Sequence, residues 1–520
     1  MAGTAETRRV LSPQRFERRT VPDLLDRSRT FGLNRPVLIA ASDGNALSYG
    51  AFLSRVSGLA SILTRRFAPG SRIACLLDNG ADYLVTRYAL SCSDLVEVAI
   101  NGRHKGPVLR HMLEIAQPHA IIVADAYLQN LRSCAFDTGR VPVIGERELT
   151  EMAATLRPWA DRPATTAGPC DPCRILFTSG TSGRSKAVEL SHAYEVHAGQ
   201  RHLRLLDIGP DDIWLYVTPM FHIDAVYLFS ILLHCGGALA LAERFSASRF
   251  WPEVDRTKAT YLCYVGSILP ILLKTSLARR RSSLRFAVGG GATQDQIEEF
   301  ERRFGATVLE AFAMTECIAC LFSTADARRP GSVGRPVDGY DIAILGPDGQ
   351  PLPANSVGEI AVRSHEPCGI FTGYFGDPAA TAEAMRGDWF HTGDLGSRDG
   401  DGYFYYRGRL KDAIRVAGEN LSAAELEAAA QSHPEVAGAA AVAVPAAFGE
   451  DDILLYVELK VGAEFGEQAL LEFLQERVAP FMVPRYIRVI DRLPRTATEK
   501  VQKSALPREI DGQTYRRPSR

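Results

Sequence analysis

The chain has 520 residues, of which 46% are hydrophobic and 23% are charged. These values are ordinary for globular protein and leave room for at least two domains with sizeable cores. The formal net charge of -2 argues against a nucleic-acid-binding protein held by bulk electrostatics. The charged N-terminus is not a secretory signal, and the most apolar long stretch, 227–242, is too short to span a bilayer. We therefore expect a soluble, cytoplasmic protein with no membrane span and no nucleic-acid partner.

The ten cysteines are scattered between Cys75 and Cys368 without a compact framework, which predicts reduced thiols. There are two C-x-x-C pairs, Cys170 with Cys173 and Cys317 with Cys320. A four-thiolate zinc site would need these distant pairs to converge. Each pair also lies beside a motif that has another explanation, so we do not expect zinc.

The N-terminal part of the chain alternates between strand and helix patterns. Strands are predicted over 71–77 and 120–124, and helices over 80–90 and 108–116. Such alternation favours parallel sheets covered by helices, so the predicted fold class is α/β. The stretch 150–172 is rich in Ala, Pro and Thr and predicts a surface connection into the next segment.

That segment is Phe177-Thr-Ser-Gly-Thr-Ser-Gly-Arg-Ser-Lys186, and it follows an apolar run that predicts a strand end. Gly180 and Gly183 let the backbone turn its N–H groups inward around an anion, and Lys186 adds a mobile positive charge. Hydroxyl donors come from Thr178, Ser179, Thr181 and Ser182. The pattern predicts a phosphate-binding loop, with a flexible Gly/Ser linker as the alternative. It is not the G-x-x-x-x-G-K-[ST] loop, because the glycine spacing is shorter.

Further along the chain, a strand over 286–292 runs into a glycine turn, and a helix over 293–304 follows. Thr293 with Gln296 makes a capping box at the start of this helix. A strand over 308–316 ends in polar residues, which commonly form the ligand crevice of an α/β sheet. Short strands with Pro/Gly/Asp turns then indicate a β-rich subdomain, and the last hundred or so residues indicate a compact α+β unit.

Several motifs follow the phosphate loop in a fixed order. They are Pro219-Met-Phe-His222, Met314-Thr-Glu316, His391-Thr-Gly-Asp394, Gly408-Arg-Leu-Lys-Asp412 and Leu493-Pro-Arg-Thr-Ala-Thr-Glu-Lys500. Each is weak alone, but their common order makes coincidence improbable. The series resembles the adenylate-forming superfamily of acyl-CoA synthetases, amino-acid-activating adenylation domains and beetle luciferases. The match runs from about Leu47 to Leu506.

The resemblance implies a domain organisation. A large N-terminal adenylation domain of helix-covered sheets plus a β-rich subdomain would span 1–407 and carry the acid, ATP and Mg²⁺ sites. A hinge would occupy 408–412, and a small mobile α+β domain would follow over 413–506. Residues 507–520 would form a flexible tail.

The resemblance also implies a reaction. A carboxylic acid and ATP would form an acyl adenylate and pyrophosphate, and a thiol, usually coenzyme A, would then attack the adenylate. The 178–186 loop and Lys186 would hold the departing phosphates. Glu316 would be the Mg²⁺ ligand and Thr315 an α-phosphate contact, because a single carboxylate with phosphate oxygens and water suits Mg²⁺. In isolation, Glu316 could equally be a surface charge at a strand end.

Nucleotide contacts are implied in the same way. Asp394 would accept hydrogen bonds from both ribose hydroxyls, and Arg409 would be the second ribose contact. Without the resemblance, Asp394 would be interpreted as a turn residue. Phe312 would stack on the adenine. The adenine would lie against the turn formed by Gly290, Gly291 and Ala292.

The C-terminal motifs supply the remaining implied roles. Lys411 falls at the hinge position, and Gly418 matches the turn that borders the pantetheine tunnel, which favours a CoA-type acceptor. Lys500 matches the lysine that reaches the adenylation site and bridges acid and α-phosphate oxygens. Two positions depart from the family pattern, because Glu499 replaces a glycine and Phe312-Ala313 replaces the usual Tyr-Gly. The first puts the local loop conformation in doubt, and the second narrows the floor of the acid pocket.

Within the superfamily, 221–224 and 244–251 look most like the carnitine/crotonobetaine CoA ligase branch. His222 would be a gate residue; without its motif it would be read as a core histidine. Asp224 would either cap a helix, which we favour, or face a cation on the substrate.

The alternatives to coenzyme A are a carrier-protein thiol, an amine, or activation of nitrite to diazotise an aryl amine. A non-catalytic nucleotide-binding relative would lack Lys500, Glu316 or Asp394, and all three are present. The identity of the acid and the oligomeric state have no sequence signal.

Overall fold

The structure of the chain is a computed structural model. It describes residues 20–139, 141–178, 185–266, 268–274, 281–410, 413–416, 419–445, 451–463, 465–478, 482–496 and 501–517. Within these residues, the α-helices are α1 Val21–Ser28, α2 Tyr49–Arg66, α3 Ala81–Ser91, α4 Gly106–Ala116, α5 Leu128–Ser133, α6 Glu146–Ala153, α7 His192–Leu203, α8 Ile223–Cys235, α9 Ala247–Thr257, α10 Ile268–Leu273, α11 Gln294–Phe304, α12 Pro378–Ala384, α13 Ala423–Gln431 and α14 Glu467–Gln475. No helix in these ranges is long and apolar enough to cross a membrane.

The strands carry the topology. They are β1 Pro36–Ala40, β2 Ala46–Ser48, β3 Arg72–Leu76, β4 Val96–Ala99, β5 Ala120–Val123, β6 Val143–Gly145, β7 Pro172–Thr178, β8 Lys186–Ser191, β9 Ile213–Tyr216, β10 Ala238–Leu241, β11 Tyr261–Val265, β12 Phe286–Gly290, β13 Thr307–Phe312, β14 Leu321–Phe322, β15 Arg335–Pro336, β16 Tyr340–Leu345, β17 Val357–Ser364, β18 Gly373–Tyr374, β19 Met385–Arg386, β20 Trp389–Arg398, β21 Phe404–Arg409, β22 Ala413–Val416, β23 Glu419–Ser422, β24 Val436–Pro445, β25 Asp451–Leu459, β26 Tyr486–Ile490 and β27 Tyr515–Arg516.

Two large sheets form the N-terminal part of the chain. One has the order β15-β14-β13-β12-β11-β9-β10-β1-β2, and its strands from β1 to β13 along this path are parallel. The other has the order β18-β8-β7-β4-β3-β5-β6, with a parallel centre formed by β7, β4, β3, β5 and β6. Helices α2, α3 and α8 meet through the rings of Phe52, Tyr88 and Phe229, all buried. The predicted α/β class with helix-covered parallel sheets is confirmed.

Local signals place several element ends. The Thr293 side chain accepts from the Gln296 N–H and the Gln296 side chain accepts from the Thr293 N–H, so the predicted capping box starts α11. Gly305 ends that helix with φ +74°, a left-handed conformation that costs glycine little. Strand β13 ends at Phe312, earlier than predicted, because the chain turns with the Met314 N–H donating to the Cys317 carbonyl.

The β-rich part and the C-terminal unit follow. Strands β16, β17, β20, β19 and β21 form an antiparallel sheet, and β24, β25, β26 and β27 form a mixed sheet in which β25 and β26 run parallel. Its edge strand β27 pairs with β26, and Arg488 on β26 contacts Asp511 at 2.8 Å. Within the segment predicted as a flexible tail, Tyr515–Arg516 form the edge strand of this last sheet.

One disulfide joins distant parts of the chain. Cys170, just before β7, bonds to Cys368, just before β18, with Cα atoms 5.5 Å apart and 198 positions between them. The prediction of reduced thiols is wrong for this pair. The physical reason is sheet pairing, since β18 runs antiparallel to β8, which itself pairs with β7. The remaining cysteines of the described residues are free and buried.

Replacing Cys368 with serine should lower the stability of the protein. A cross-link between residues so far apart removes much loop-closure entropy from the unfolded chain, and such bonds typically contribute about 2–4 kcal/mol. Thermal unfolding should show a lower midpoint for the variant, and wild-type protein in reductant should approach the same value. The variant itself should not respond to reductant. An unchanged midpoint for reduced wild type would contradict the expectation.

Candidate active site

Motif residues carried by both large sheets and by the β16–β21 sheet converge, namely Lys186, Phe312, Glu316, Asp394 and Arg409. Thr178 closes β7 and Lys186 opens β8, and the two residues face each other across the antiparallel pair. The Lys186 ammonium lies 4.3 Å from the centroid of the Tyr374 ring. This cation–π contact directs the lysine toward the segment that carries Tyr374. Two ends of the predicted phosphate loop are thus placed.

Glu316 lies at the centre of this convergence. Its side chain is buried, and its Oε1 accepts a hydrogen bond of 2.8 Å from the Tyr374 hydroxyl. Its backbone carbonyl accepts from the N–H of Phe371 at 2.8 Å, and the Tyr194 hydroxyl donates to the carbonyl of the neighbouring Thr315 at 3.0 Å. The reading of Glu316 as a surface charge is therefore excluded.

The protonation of Glu316 reflects opposing effects. Burial raises the pKa of the carboxyl above its ordinary value, while the Tyr374 hydroxyl, Arg409 and Lys186 act in the opposite direction. A carboxylate oxygen is the kind of ligand that a hydrated divalent cation takes. The described residues contain no group of three or more His, Cys, Asp and Glu side chains that could hold a metal alone. A metal at Glu316 would therefore take its other ligands from phosphate oxygens and water.

Removing the Tyr374 hydroxyl should move the pH dependence of the first reaction step. In Tyr374→Phe, the ring beneath Lys186 remains but the hydrogen bond that stabilises the charged form of Glu316 is lost. The pKa of Glu316 should rise, so the acidic limb of the pyrophosphate-exchange profile should shift to higher pH. A hydrogen bond to a charged group is worth roughly 1.5–3 kcal/mol, so exchange at the acidic end should fall about tenfold. An unshifted limb would contradict this role for Tyr374.

The glycine turn after β12 is held by a carboxylate that sequence reasoning missed. Gly291 has φ +90°, and its N–H donates to Glu310 at 3.2 Å, while the N–H of Ala292 donates to the same carboxylate at 3.4 Å. The Tyr264 hydroxyl also donates to Glu310. At Gly290, an added Cβ would lie 2.7 Å from the Ala311 carbonyl oxygen, so this backbone admits no side chain.

A second cluster lies beside this turn. Phe312 is buried, and its ring centroid is 6.1 Å from that of Tyr406. The Tyr406 hydroxyl lies 3.4 Å from Asp394 Oδ1, and Arg409 Nε lies 2.9 Å from the same oxygen. Asp394 on β20 and Arg409 on β21 are paired in register, which sets this geometry. The structure thus brings the predicted base-stacking residue and both predicted ribose contacts together, with Tyr406 between them.

Replacing Asp394 with alanine should weaken ATP binding without changing which acids are accepted. Two charge-assisted hydrogen bonds to a diol are worth roughly 1.5–3 kcal/mol each, so the KM for ATP should rise at least about a hundredfold. The matched control is Asp341→Ala, which removes a carboxylate paired with Arg363 at 2.6 Å on the β16–β17 pair. An altered acid preference with an unchanged KM for ATP would contradict the ribose contact and would assign Asp394 to the acid pocket.

His222 lies at the start of helix α8. It is the N-cap residue of α8 and packs on Phe221 with ring centroids 4.5 Å apart. The predicted cap position thus belongs to His222 and not to Asp224, which lies in the first turn. Burial raises the pKa of Tyr216 and Cys263, and the Asp224 carboxylate adds to the rise, so this carboxylate acts on the interior between β9 and β11.

Several predicted residues lie outside the described part of the chain. They are Ser179, Gly180, Thr181, Ser182, Gly183, Lys411, Gly418, Glu499 and Lys500. The side chains that the sequence did not reveal are Tyr374, Tyr406, Glu310 and Tyr264. Tyr406 lies within β21, two positions before Gly408, and its polar aromatic side chain is the signal that the sequence offers. The other three have no local pattern that distinguishes them.

Comparisons with known proteins identify the family of the chain. A family model described as "AMP-binding enzyme" matches residues 25–375, and one described as "AMP-binding enzyme C-terminal domain" matches residues 425–500. Sulfoacetate–CoA ligase of Cupriavidus necator is 33% identical over 491 residues, which cover 91% of this chain and 94% of the relative. Crotonobetaine/carnitine–CoA ligase of Salmonella agona, from the predicted branch, is 29% identical over 84% of this chain and 88% of its own length.

Among solved structures, ATP-bound MatB from Rhodopseudomonas palustris superimposes with a TM-score of 0.85 at 26% identity. The superposition covers 93% of this chain and 97% of MatB. The family model alone spans more than half of the sequence, and the structural match extends over both the large sheets and the C-terminal unit. The chain belongs to the AMP-binding enzyme family and is an AMP-forming acid–thiol ligase of the adenylate-forming superfamily.

Proposed function

We propose that the protein uses ATP and Mg²⁺ to activate a carboxylic acid as its adenylate and then transfers the acyl group to coenzyme A. The observation that carries this proposal is the convergence of Lys186, Glu316, Phe312, Asp394 and Arg409. These side chains provide a cation, a buried carboxylate, an aromatic face and a paired carboxylate and guanidinium. Together they match the needs of a triphosphate, its metal, a base and a ribose.

Each residue has a defined task in this proposal. Phe312 stacks on the adenine against the turn of Gly290, Gly291 and Ala292, which Glu310 holds. Asp394 accepts the ribose hydroxyls, and Arg409 orients Asp394 and adds positive charge. Glu316 would hold Mg²⁺, which offsets phosphate charge when bound. The cofactor contacts proposed outside the described residues are Ser179, Gly180, Thr181, Ser182, Gly183 and Gly418.

The reacting groups are handled by five side chains. Lys186 and Thr178 contact the departing phosphates, and Thr315 contacts the α-phosphate. His222, at the start of α8, borders the acid pocket and closes it. Placing the acid oxygen and the α-phosphorus at reacting distance is the main contribution of such a site, since oriented reactants gain large effective molarities. Lys500 is proposed to bridge these two groups.

The experiment that tests the proposal is a substrate panel. Purified protein is given ATP and Mg²⁺ with a series of carboxylic acids, and pyrophosphate exchange reports adenylate formation. AMP release on addition of coenzyme A then reports thioester formation. The series should include sulfonated, quaternary-ammonium and aliphatic acids, because the relatives differ in this respect. Glu316→Ala serves as the inactive control.

The same panel decides between acceptors. Consider an acid that supports pyrophosphate exchange without AMP release on addition of coenzyme A. If AMP is then released with an amine or a carrier-protein thiol, that compound is the acceptor and coenzyme A is not. AMP release with nitrite and an aryl amine would indicate diazotisation. No acid-dependent or nitrite-dependent exchange would contradict the proposed function as a whole.

A further inference from the structure

The backbone that leads into His222 is held by side chains from the other large sheet. Residues 218–220 follow β9 and belong to neither a strand nor a helix. Their partners are Asn79, in the loop after β3, and Arg87, in α3. The carbonyl of Pro219 is covered locally, by the Tyr216 hydroxyl at 3.0 Å and by the His222 N–H at 3.1 Å.

Asn79 uses both ends of its amide. Its Nδ2 donates to the carbonyl of Thr218 at 2.9 Å and to that of Ala242 at 3.0 Å. Its Oδ1 accepts from the N–H of Met220 at 2.8 Å. Because the Asn79 side chain binds one donor and one acceptor of the same short segment, it specifies the peptide orientations there. Ala242 directly follows β10, so Asn79 also ties the segment to that strand end.

Arg87 adds a charged contact from the interior. Its guanidinium donates to the Met220 carbonyl at 2.6 Å and pairs with Glu97 at 3.0 Å. Glu97 in turn contacts Arg174 at 2.7 Å, and Arg174 contacts Glu195 at 2.7 Å. Exposure of all four side chains is 1% or less. Such a buried chain of charges tolerates little displacement, because any broken contact leaves an uncompensated ion.

The chain of charges passes through the strand that leads into the predicted phosphate loop. Arg174 lies in β7, which ends at Thr178, and Glu195 lies in α7 after β8. Arg87 therefore connects the Met220 carbonyl, two residues before His222, with β7 through Glu97. The two large sheets are coupled at this point through side chains whose geometry is fixed by charge pairing.

We propose that Asn79 and Arg87 are positioning residues for the His222 segment and that they set the acid pocket relative to the phosphate site. The proposal rests on the proposed function for the meaning of the acid pocket. It predicts that disturbing Asn79 affects the use of the acid through His222 and leaves the nucleotide contacts of Asp394 and Phe312 intact. If Asn79 had a merely structural role, its loss would weaken the binding of the acid and of ATP together.

The test uses Asn79→Ala, because Asn79 is only partly buried and its loss removes no charge. Amide hydrogen exchange of the peptide around Met220 should accelerate about tenfold or more, since the Met220 N–H loses its acceptor. In pyrophosphate exchange, the KM for the acid should rise about tenfold, and the KM for ATP should change less than about twofold. In a His222→Ala background, Asn79→Ala should cost less than about twofold further, because it acts through that residue.

Asn130→Ala is the matched control, since it removes an amide that donates to the Gly102 carbonyl at 2.8 Å away from this segment. It should change neither the Met220 amide nor the KM for the acid. Arg87→Lys is the second variant: it keeps a positive charge beside Glu97, but one ammonium cannot reproduce the fork that also reaches the Met220 carbonyl. It should accelerate the same amide, and if it fails to fold, Asn79→Ala decides alone.

Three results would overturn the inference: an unchanged Met220 amide, equal rises in the KM for acid and for ATP, or full additivity with His222→Ala. If wild-type protein exchanges no pyrophosphate with any acid or with nitrite, the proposed function fails instead. In that case amide exchange still decides whether Asn79 and Arg87 hold the segment.

Discussion

Replacing Lys500 with alanine is expected to reduce pyrophosphate exchange by roughly a hundredfold to a thousandfold, as loss of a positioned donor at developing charge does. The resemblance assigns Lys500 to the adenylating step alone. The variant should therefore still convert a premade acyl adenylate and coenzyme A into thioester at close to the wild-type rate. Pyrophosphate exchange and single-turnover thioester formation, measured on the same preparation, separate the two steps.

A neighbouring lysine provides the control for this experiment. Lys503 lies three positions further on, and its ammonium contacts Glu427 at 2.7 Å. Lys503→Ala removes a positive charge from the same region, so it should leave pyrophosphate exchange within a few-fold of wild type. Arg495 and Val501, which flank the Lys500 position, form an antiparallel bridge, so both variants keep the same framework. Equal losses in both reaction steps for Lys500→Ala would contradict the assignment of Lys500 to the adenylating step alone.

Replacing Lys411 with proline is expected to block one reaction step and to spare the other. The proposed hinge over 408–412 joins β21 to the C-terminal unit, and proline fixes φ near roughly -65° while also restricting Leu410. If the C-terminal unit must rotate between the steps, the variant should retain pyrophosphate exchange. Thioester formation should fall by roughly a hundredfold or more, because the acceptor site is no longer assembled at reacting distance.

The control for the hinge is Lys411→Ala, which removes the side chain but keeps the backbone free to rotate. It should carry out both steps at close to the wild-type rate. A folded Lys411→Pro protein that turns over normally would mean that neither the hinge nor the rotation applies here. Equal loss of both steps would indicate a rigid site in which the proline disturbs a common element.

The sequence contains the elements of the fold but not their contacts. The box of Thr293 and Gln296 at the start of α11 is readable because its hydrogen bonds join residues three apart. The alternation of apolar strands and helices likewise predicts parallel sheets, since each element must bury one face. The disulfide between Cys170 and Cys368 is not readable, because only the pairing of β18 with β8 brings those cysteines together.

The same division applies to the candidate site. Lys186, Glu316, Asp394 and Arg409 stand in short motifs, so their chemistry can be predicted from residue type and order alone. Their partners Tyr374 and Tyr406 stand in ordinary strand sequences, as does Glu310, which holds the turn at Gly291. Strand register decides which of these side chains reaches the site.

The sequence by itself determined the fold class, the order of the motifs and the family to which the chain belongs. Only the tertiary structure decided that Glu316 is buried against Tyr374, that Asp394 pairs with Arg409, and that Asn79 and Arg87 hold the segment before His222. The physical reason is the distance along the sequence over which each kind of interaction acts. Capping, turn and periodicity signals act over a few residues, whereas Asn79 and Met220 are 141 positions apart. Such contacts exist only after two sheets have assembled around a common core.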